Sequence, residues 1–508
     1  MKALRSSLRW TKAAAAVLVV VLAIAGAAHA QTVRLGTPQD LVRQSAEALG
    51  GRDRVMTVKT LVVEGAGINP NVGQNPTPDS PLLNWRITDY RKTFDLQNRR
   101  VRIERHRKAE FAFSMFNDVR ENMTLDGTVA YNIDEKGMAA RAPESAVRER
   151  RMEMLLHPLA IVREALDPKT RLATVRKVGN KDALDIVTAD GDRLTLFLDP
   201  ATHLPASVQW LSSSDNLGDI VNDIAFTEYE SVSGLKLPKH FVTKIDFRDY
   251  TTSDLRVSKN TVDAPANVGA AAAVKASMPP LPPPVTAEPM KVASGVWWVK
   301  GSGNHSSALY EFADHMTLYE APSSAALARE IIAKARAVIP SKPVTEVIIS
   351  HHHFDHTGGL RTMVAEGFTI ISHKGNQQYF RELVSRKATL NPDQLAKNPK
   401  PLKFRGVEDH AVIKDSAMEV ELFRVKDNEH STYNLVAWVP KYKLLSQSDL
   451  FDFFWHRHLW GDNYIKNLEN LKLRFEKDIP VHGKILTYDE EVAVIRKFDT
   501  TGRTDYTP

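Results

Sequence analysis

Hydrophobic positions follow two rhythms along this chain. In its first half they alternate with polar ones in short stretches, at Val58 to Glu64, Arg100 to Glu104, Leu194 to Leu198, Ala206 to Trp210 and Phe241 to Phe247, separated by turn signals such as Asp199-Pro200 and Ser233-Gly234. Alternation of period two predicts strands with one buried face, hence an antiparallel sheet. In Arg100-Val101-Arg102-Ile103-Glu104, Val101 and Ile103 are expected inside, and the arginines are read as the solvated face rather than an anion site. A short helix precedes the strands: Thr37 is placed to cap it, Pro38 suits its first turn, and Gly50-Gly51 stops it. In the second half, Val344-Thr345-Glu346-Val347-Ile348-Ile349-Ser350 is rich in β-branched residues and reads as a buried strand.

Between these regions, Ala264 to Pro289 is rich in Ala and Pro and predicts a semi-rigid, solvated linker. The expected organisation is therefore residues 1–30 as a leader, 31–263 as an antiparallel-sheet domain, 264–289 as the linker and 290–508 as a second domain. The leader has a basic start, an apolar run from Ala13 to Ala28 and the small-x-small ending Ala28-His29-Ala30, the pattern of a signal peptide cleaved after Ala30. That run is too short for a bilayer span, and export to the periplasm without an integral membrane segment is the expectation. The formal charge of +6 falls to +2 without Lys2, Arg5, Arg9 and Lys12, which gives no case for a nucleic-acid partner over 508 residues. With no cysteine in the chain, disulfides, thiolate ligands and a catalytic thiol are excluded.

Twelve of the 17 histidines follow residue 300, and four of them lie between His351 and His356. The run His351-His352-His353-Phe354-Asp355-His356-Thr357-Gly358-Gly359 begins where the buried strand ends, the edge at which α/β sheets gather ligands. Imidazole and carboxylate at the spacing H-x-H-x-D-H are donors for zinc or iron, and the glycines let the chain turn so that they converge. No Gly-x-Ser-x-Gly elbow is present, which excludes a serine hydrolase of that type.

On this motif, residues 290–500 resemble the metallo-β-lactamase fold superfamily, which implies an αββα sandwich with Gly295 to Val299 and Ser307 to Tyr319 as opening strands and Ala325 to Val338 as the helix before the motif. The resemblance implies two divalent metal ions, zinc, with His351, His353 and His430 holding the first and Asp355, His356 and His482 the second. Asp449, in Ser448-Asp449-Leu450-Phe451, stands where the family has its bridging aspartate; His430 and His482 are carried over from Glu429-His430-Ser431 and Pro480-Val481-His482-Gly483. Val481 departs from the family's usual glycine. Asp449 and the missing cysteine direct the reading away from β-lactams toward ester-like, thioester, lactone or phosphodiester substrates.

The activity implied is that of an enzyme, a metallo-hydrolase acting on a small-molecule substrate with an apolar moiety, in which two ions generate hydroxide and Asp355, the catalytic residue, orients the water and shuttles its proton. The alternatives are a β-lactam hydrolase, a mononuclear iron oxygenase of the same fold, or a non-enzymatic carrier of hydrophobic ligands. His352 is expected to point away from the metals. Phe451, Phe453, Phe454, Trp455 and Trp460, with His456 and His458, form an aromatic cluster close to Asp449, and Glu382 to Val407 is long enough to act as a lid. In the first half, Asp190 to Pro205, Tyr229 and Gly234-Leu235-Lys236-Leu237-Pro238 resemble periplasmic lipoprotein-carrier domains, which implies a curved antiparallel sheet around a helix.

Overall fold

The computed structural model describes residues 36–111, 118–455 and 457–498; the leader, its cleavage point and His456 lie outside the described residues. The first helix, Pro38–Leu49, forms as its ends dictate. Thr37 accepts from the Asp40 amide (3.1 Å), and the Asp40 carboxylate in turn accepts from the Thr37 N–H (3.3 Å). Thirteen strands between Thr60 and Val262 then build one antiparallel sheet, in which the expected strands appear as Thr60–Asn71, Arg100–Ala109, Arg193–Leu198, Pro205–Ser214 and His240–Ile245. Val101 and Ile103 are buried against the helices Ser145–Leu155 and Pro158–Ala165, whereas Arg100, Arg102 and Glu104 are half-buried on the opposite face, where Arg100 pairs across the sheet with Asp126. The alternation thus separates core from solvated face as the pattern requires.

The Ala/Pro-rich stretch is solvated at residues 280–286, but its first half is tied down. Val268 and Val274 are buried, the Tyr131 hydroxyl donates to the Val268 carbonyl (3.0 Å), and the Ala270 amide donates to Asp126 (2.9 Å). Composition alone does not disclose such anchoring, because two valines suffice for it.

Beyond it lie a seven-stranded mixed sheet, Ala287 to Val407, and a five-stranded sheet, His410 to Asp478. Their facing surfaces enclose Tyr310, Tyr319, Ile348, Ile371, Val420 and Leu435. Helices Ala325–Val338, Leu360–Glu366 and Gln377–Ser385 cover one outer face, Gly461–Leu471 and Tyr488–Ile495 the other, which completes an αββα sandwich. Each fully buried Leu, Ile or Phe in these layers contributes about 1.5–3 kcal/mol. Within the seven-stranded sheet, Met316–Tyr319, Val344–Ile348, Thr369–His373 and Lys403–Val407 run parallel, so the His motif leaves the sheet at a carboxyl edge.

The large sheet packs directly on the sandwich. Leu217, Ile245 and Phe247 belong to the same core as Ile331 and Phe380, and the rings of Phe247 and Tyr379 stand 5.7 Å apart. Arg248 makes a two-pronged pair with Glu382 (2.6 and 3.0 Å), Arg386 donates to the Leu217 carbonyl (2.6 Å), and Asp219 accepts from the amides of Thr389 and Leu390. These contacts correct the lid expectation. Glu382 to Val407 is held on the large sheet by its arginine and amide donors, and none of its residues lines the site cavity.

Candidate metal centre

The strand Val344–Ile348 delivers the motif to a fixed place. The Ser350 amide donates to buried Glu320 (2.8 Å), His353 precedes the one-turn helix Phe354–Thr357, and the chain then passes so close to the neighbouring loop that a Cβ on Gly358 would lie 2.2 Å from the Ser323 carbonyl. Only glycine allows this approach.

Seven expected residues come together. The ligand-type atoms of His351, His353, His430 and Asp449 lie within 4.8 Å of one another, as do those of Asp355, His356, Asp449 and His482. Nε2 of His430 is 3.2 Å from Nε2 of His351 and 3.0 Å from Oδ2 of Asp449; Nε2 of His356 is 3.0 Å from Asp355 and 3.1 Å from Asp449; Nε2 of His482 is 2.9 Å from Asp449 Oδ1. Asp449 therefore touches both groups.

The outward ring nitrogens are held from behind. Ser350 Oγ meets His351 Nδ1 (2.8 Å), Ser448 Oγ meets His356 Nδ1 (2.9 Å), His482 Nδ1 meets the Asn304 carbonyl (2.6 Å) and His353 Nε2 the Asn75 carbonyl (3.0 Å). A carbonyl can only accept, so the contacted nitrogens of His353 and His482 carry the proton and the opposite lone pairs face the cluster. His353 Nδ1 is buried without a partner. Converging lone pairs at 3.2 Å repel one another unless a cation lies between them, and the N/O donor set is that of zinc- or iron-type ions. The residues therefore fit a metal.

Charge in the cluster has the same sense. Burial, then the surrounding imidazoles, pull His351 well down and His353 to about 3. Burial opposes the charged forms of His356 and His482, yet Asp355, Asp449 and Glu320 push the former well up and chiefly Asp449 raises the latter. Asp355 and Asp449 stay well below the carboxylate range against the same burial, because His356 lies beside both. The ionised carboxylates of Asp355 and Asp449 thus favour positive charge beside them, whereas burial disfavours the charged forms of His351 and His353.

Asp449 adopts a left-handed backbone (φ +58°), which for a non-glycine costs of order 1–3 kcal/mol and persists only where surroundings enforce it. Gln447 accepts from the Leu450 and Phe451 amides (3.2 and 3.3 Å) and donates to the Phe451 carbonyl, while the Trp460 indole donates to the Asp449 carbonyl (2.6 Å).

Above the centre opens a cavity of about 1030 Å³. Asn304, His305, Trp455 and Trp460 line it from the sandwich, and Gln74, Pro76, Leu83, Trp85 and Phe111 from the large sheet. The aromatic cluster thus divides: Trp455 and Trp460 face the cavity, whereas Phe451 is core and stacks on buried His458 at 5.0 Å. His352 is buried edge-on against Tyr379 (5.5 Å), away from the converging groups.

Sequence reasoning missed Gln74, Asn75, Asn304, His305 and Glu320. His305, whose ring lies 4.6 Å from His482 and which burial holds down to about 4, had one signal, its place just after the strand Val296–Gly301 in a Gly-rich turn. Gln74 and Asn75 had none, since a loop on another sheet carries no mark of what it will meet.

The family model described as the metallo-beta-lactamase superfamily matches residues 301–417, so that this part of the chain is a domain of that superfamily. The match contains His351 to His356 and ends before His430, Asp449 and His482. No curated protein matches the chain. Among solved structures, similarity is found to a metallo-beta-lactamase from Pontibacter korlensis (15% identity, TM-score 0.33, 42% of this chain and 98% of that one). A metallo-beta-lactamase from Hirschia baltica is similar at 17% identity and TM-score 0.33, over 42% of this chain and 97% of that one. The rubredoxin oxygen:oxidoreductase of Desulfovibrio gigas is similar at 16% identity and TM-score 0.34, over 44% and 62%. The superfamily domain and its His/Asp cluster suggest metal binding and a metal-dependent hydrolase. Among the described residues no helix is long and apolar enough to cross a membrane.

Proposed function

We propose that the protein is an exported hydrolase that uses two divalent ions, zinc, to cleave an ester-like, thioester, lactone or phosphodiester bond in a small molecule with an apolar part. The observation that carries this reading is the pair of donor sets meeting at Asp449, whose Oδ2 lies beside His430 of one set and His356 of the other and whose Oδ1 lies beside His482. His351, His353 and His430 would hold one ion, Asp355, His356 and His482 the other, with Asp449 shared. When bound, such ions would supply Lewis acidity, lowering the pKa of a bound water and polarising the substrate's carbonyl or phosphoryl oxygen.

The chain's own residues do the rest. Asp355, one third exposed at its side chain and facing the cavity, accepts the proton released from the attacking water and returns it to the leaving group. The Asn75 and Asn304 carbonyls hold His353 and His482 in fixed tautomers from behind, so the donor atoms of these two rings need no reorganisation. Trp455 and Trp460 on one side, with Leu83, Trp85 and Phe111 on the other, provide the walls for the apolar part.

Metal analysis of purified protein, joined to a hydrolysis panel of thioester, lactone, phosphodiester and β-lactam compounds, tests the reading. Close to two ions per chain and chelator-sensitive turnover of one of the first three classes are expected; a single tightly held iron overturns it. The mature N-terminus recovered from a periplasmic fraction is expected to be Gln31, and a membrane-retained chain beginning at Met1 would refute export by cleavage.

A further inference from the structure

We propose that Gln74, on the loop between strands Thr60–Asn71 and Leu83–Asp95 of the large sheet, is a positioning residue of the metal centre that fixes which oxygen of Asp355 faces inward; this rests on the two-ion reading above. The Gln74 side-chain amide donates to Asp355 Oδ1 at 2.9 Å, while Asp355 Oδ2 is 3.0 Å from His356 Nε2. Rotation about the last bond of an aspartate is soft, so its two oxygens exchange readily unless a donor selects one. Among the described residues, Gln74 is the donor to Oδ1.

The loop is built to deliver that amide. The Gly73 carbonyl accepts from the Phe354 amide (3.1 Å), the Asn75 carbonyl meets His353 Nε2 (3.0 Å), and the Pro76 carbonyl accepts from the Thr432 amide (2.9 Å), two residues beyond His430. Residues 73 to 76 therefore each touch the motif or the His430 segment. The approach is so close that a Cβ on Gly73 (φ +79°) would lie 2.4 Å from the Phe354 ring. The Asn75 side chain, donating to the Thr77 and Ser80 carbonyls (2.6 and 3.0 Å), holds the loop's own curve. One loop of the large sheet thus bears on His353 in one donor set and on Asp355 in the other, and the sandwich alone lacks both contacts.

The test uses the full-length chain and the variant Gln74→Met, which keeps the length of the side chain and removes the donor. Metal-free protein is titrated with Zn2+ against a chromophoric chelator, the Co2+-loaded form is examined by absorption, and kcat and KM are measured on whichever substrate the wild type turns over. Loss of a contact behind a ligand weakens metal binding about 10- to 100-fold. The expected result is that loss for the second ion alone, an altered Co2+ spectrum, a fall in kcat larger than any rise in KM, and an unchanged thermal midpoint of the metal-free protein. Wild-type affinity and spectrum in Gln74→Met overturn the proposal while leaving the two-ion reading intact. Equal weakening of both ions with a lowered midpoint overturns it too, because the loop would then only hold the fold. Uptake of a single ion by the wild type removes the two-ion reading and, with it, the premise of the proposal.

Discussion

Two groups of desolvated carboxylates in the sandwich take opposite states. Asp355 and Asp449 sit among imidazoles and remain ionised, held well below their ordinary range. Asp478, four residues before His482, faces Glu491, and among the described residues the side-chain donors to the pair are neutral: the Gln447 amide to Asp478 (2.9 Å) and the Tyr464 hydroxyl to Glu491 (3.2 Å). Burial pushes Asp478 up to about 7 and Glu491 well above its usual value. Asp478 Oδ1 and Glu491 Oε1 have no donor while both groups are charged, and a proton on one acid bridges them. Burial is common to both sites; the difference is what neutralises the charge. One site is built for a cation, the other for a proton.

The contrast can be broken most severely at Asp449. Asp449→Ala removes the oxygens common to both donor sets, so ion content should fall from two toward zero and activity to background, as chelation should also cause. Two retained ions, measured by elemental analysis, would end the view of Asp449 as the shared group. Next in size is Asp355→Asn, which keeps an oxygen but loses the proton acceptor; kcat should fall about 10²- to 10⁴-fold with a smaller change in KM.

On the proton side, the raised pKa values give stability that is full below about pH 4 and is lost as pH rises through about 7, because the unfolded chain releases these protons first. Asp478→Asn cannot titrate. Relative to wild type it should gain about 2–4 kcal/mol between pH 4 and pH 8 in urea unfolding. A difference that does not change with pH would mean that the pair carries no extra proton in the folded state. The smallest effect on turnover belongs to His352→Ala, expected to stay within a few-fold of wild type while costing about 1–3 kcal/mol of stability for a vacated buried site. Damage equal to that of Asp355→Asn would mean that the ligands within His351 to His356 are shifted by one.

What was readable in the sequence is what neighbouring residues decide. The period-two alternation around Val101 and Ile103, the Thr37 cap and the dense run from His351 to His356 are local signals, and the structure places each accordingly. His430, Asp449 and His482 became legible only through resemblance, since a single His or Asp before a strand or turn is not distinctive. The segment Glu382 to Val407 misled because length and Pro content describe a loop without saying which surface has matching acceptors. Gln74 lies 281 residues before its partner, in a stretch of Gly, Asn, Pro and Ser that reads as an ordinary turn. Its chemistry exists only once two sheets have met.

The seam formed by Leu217, Phe247, Asp246 and Arg248 also bears on the order in which the chain is made. These residues leave the ribosome well before Tyr379, Glu382 and Arg386, the groups that cover and pair with them. Until those arrive, Leu217 and Phe247 lack their apolar cover and Arg248 and Asp246 their ionic partners. A chain terminated in the Pro-rich stretch would therefore leave this seam uncovered. Only synthesis of the second half supplies the side chains that close it.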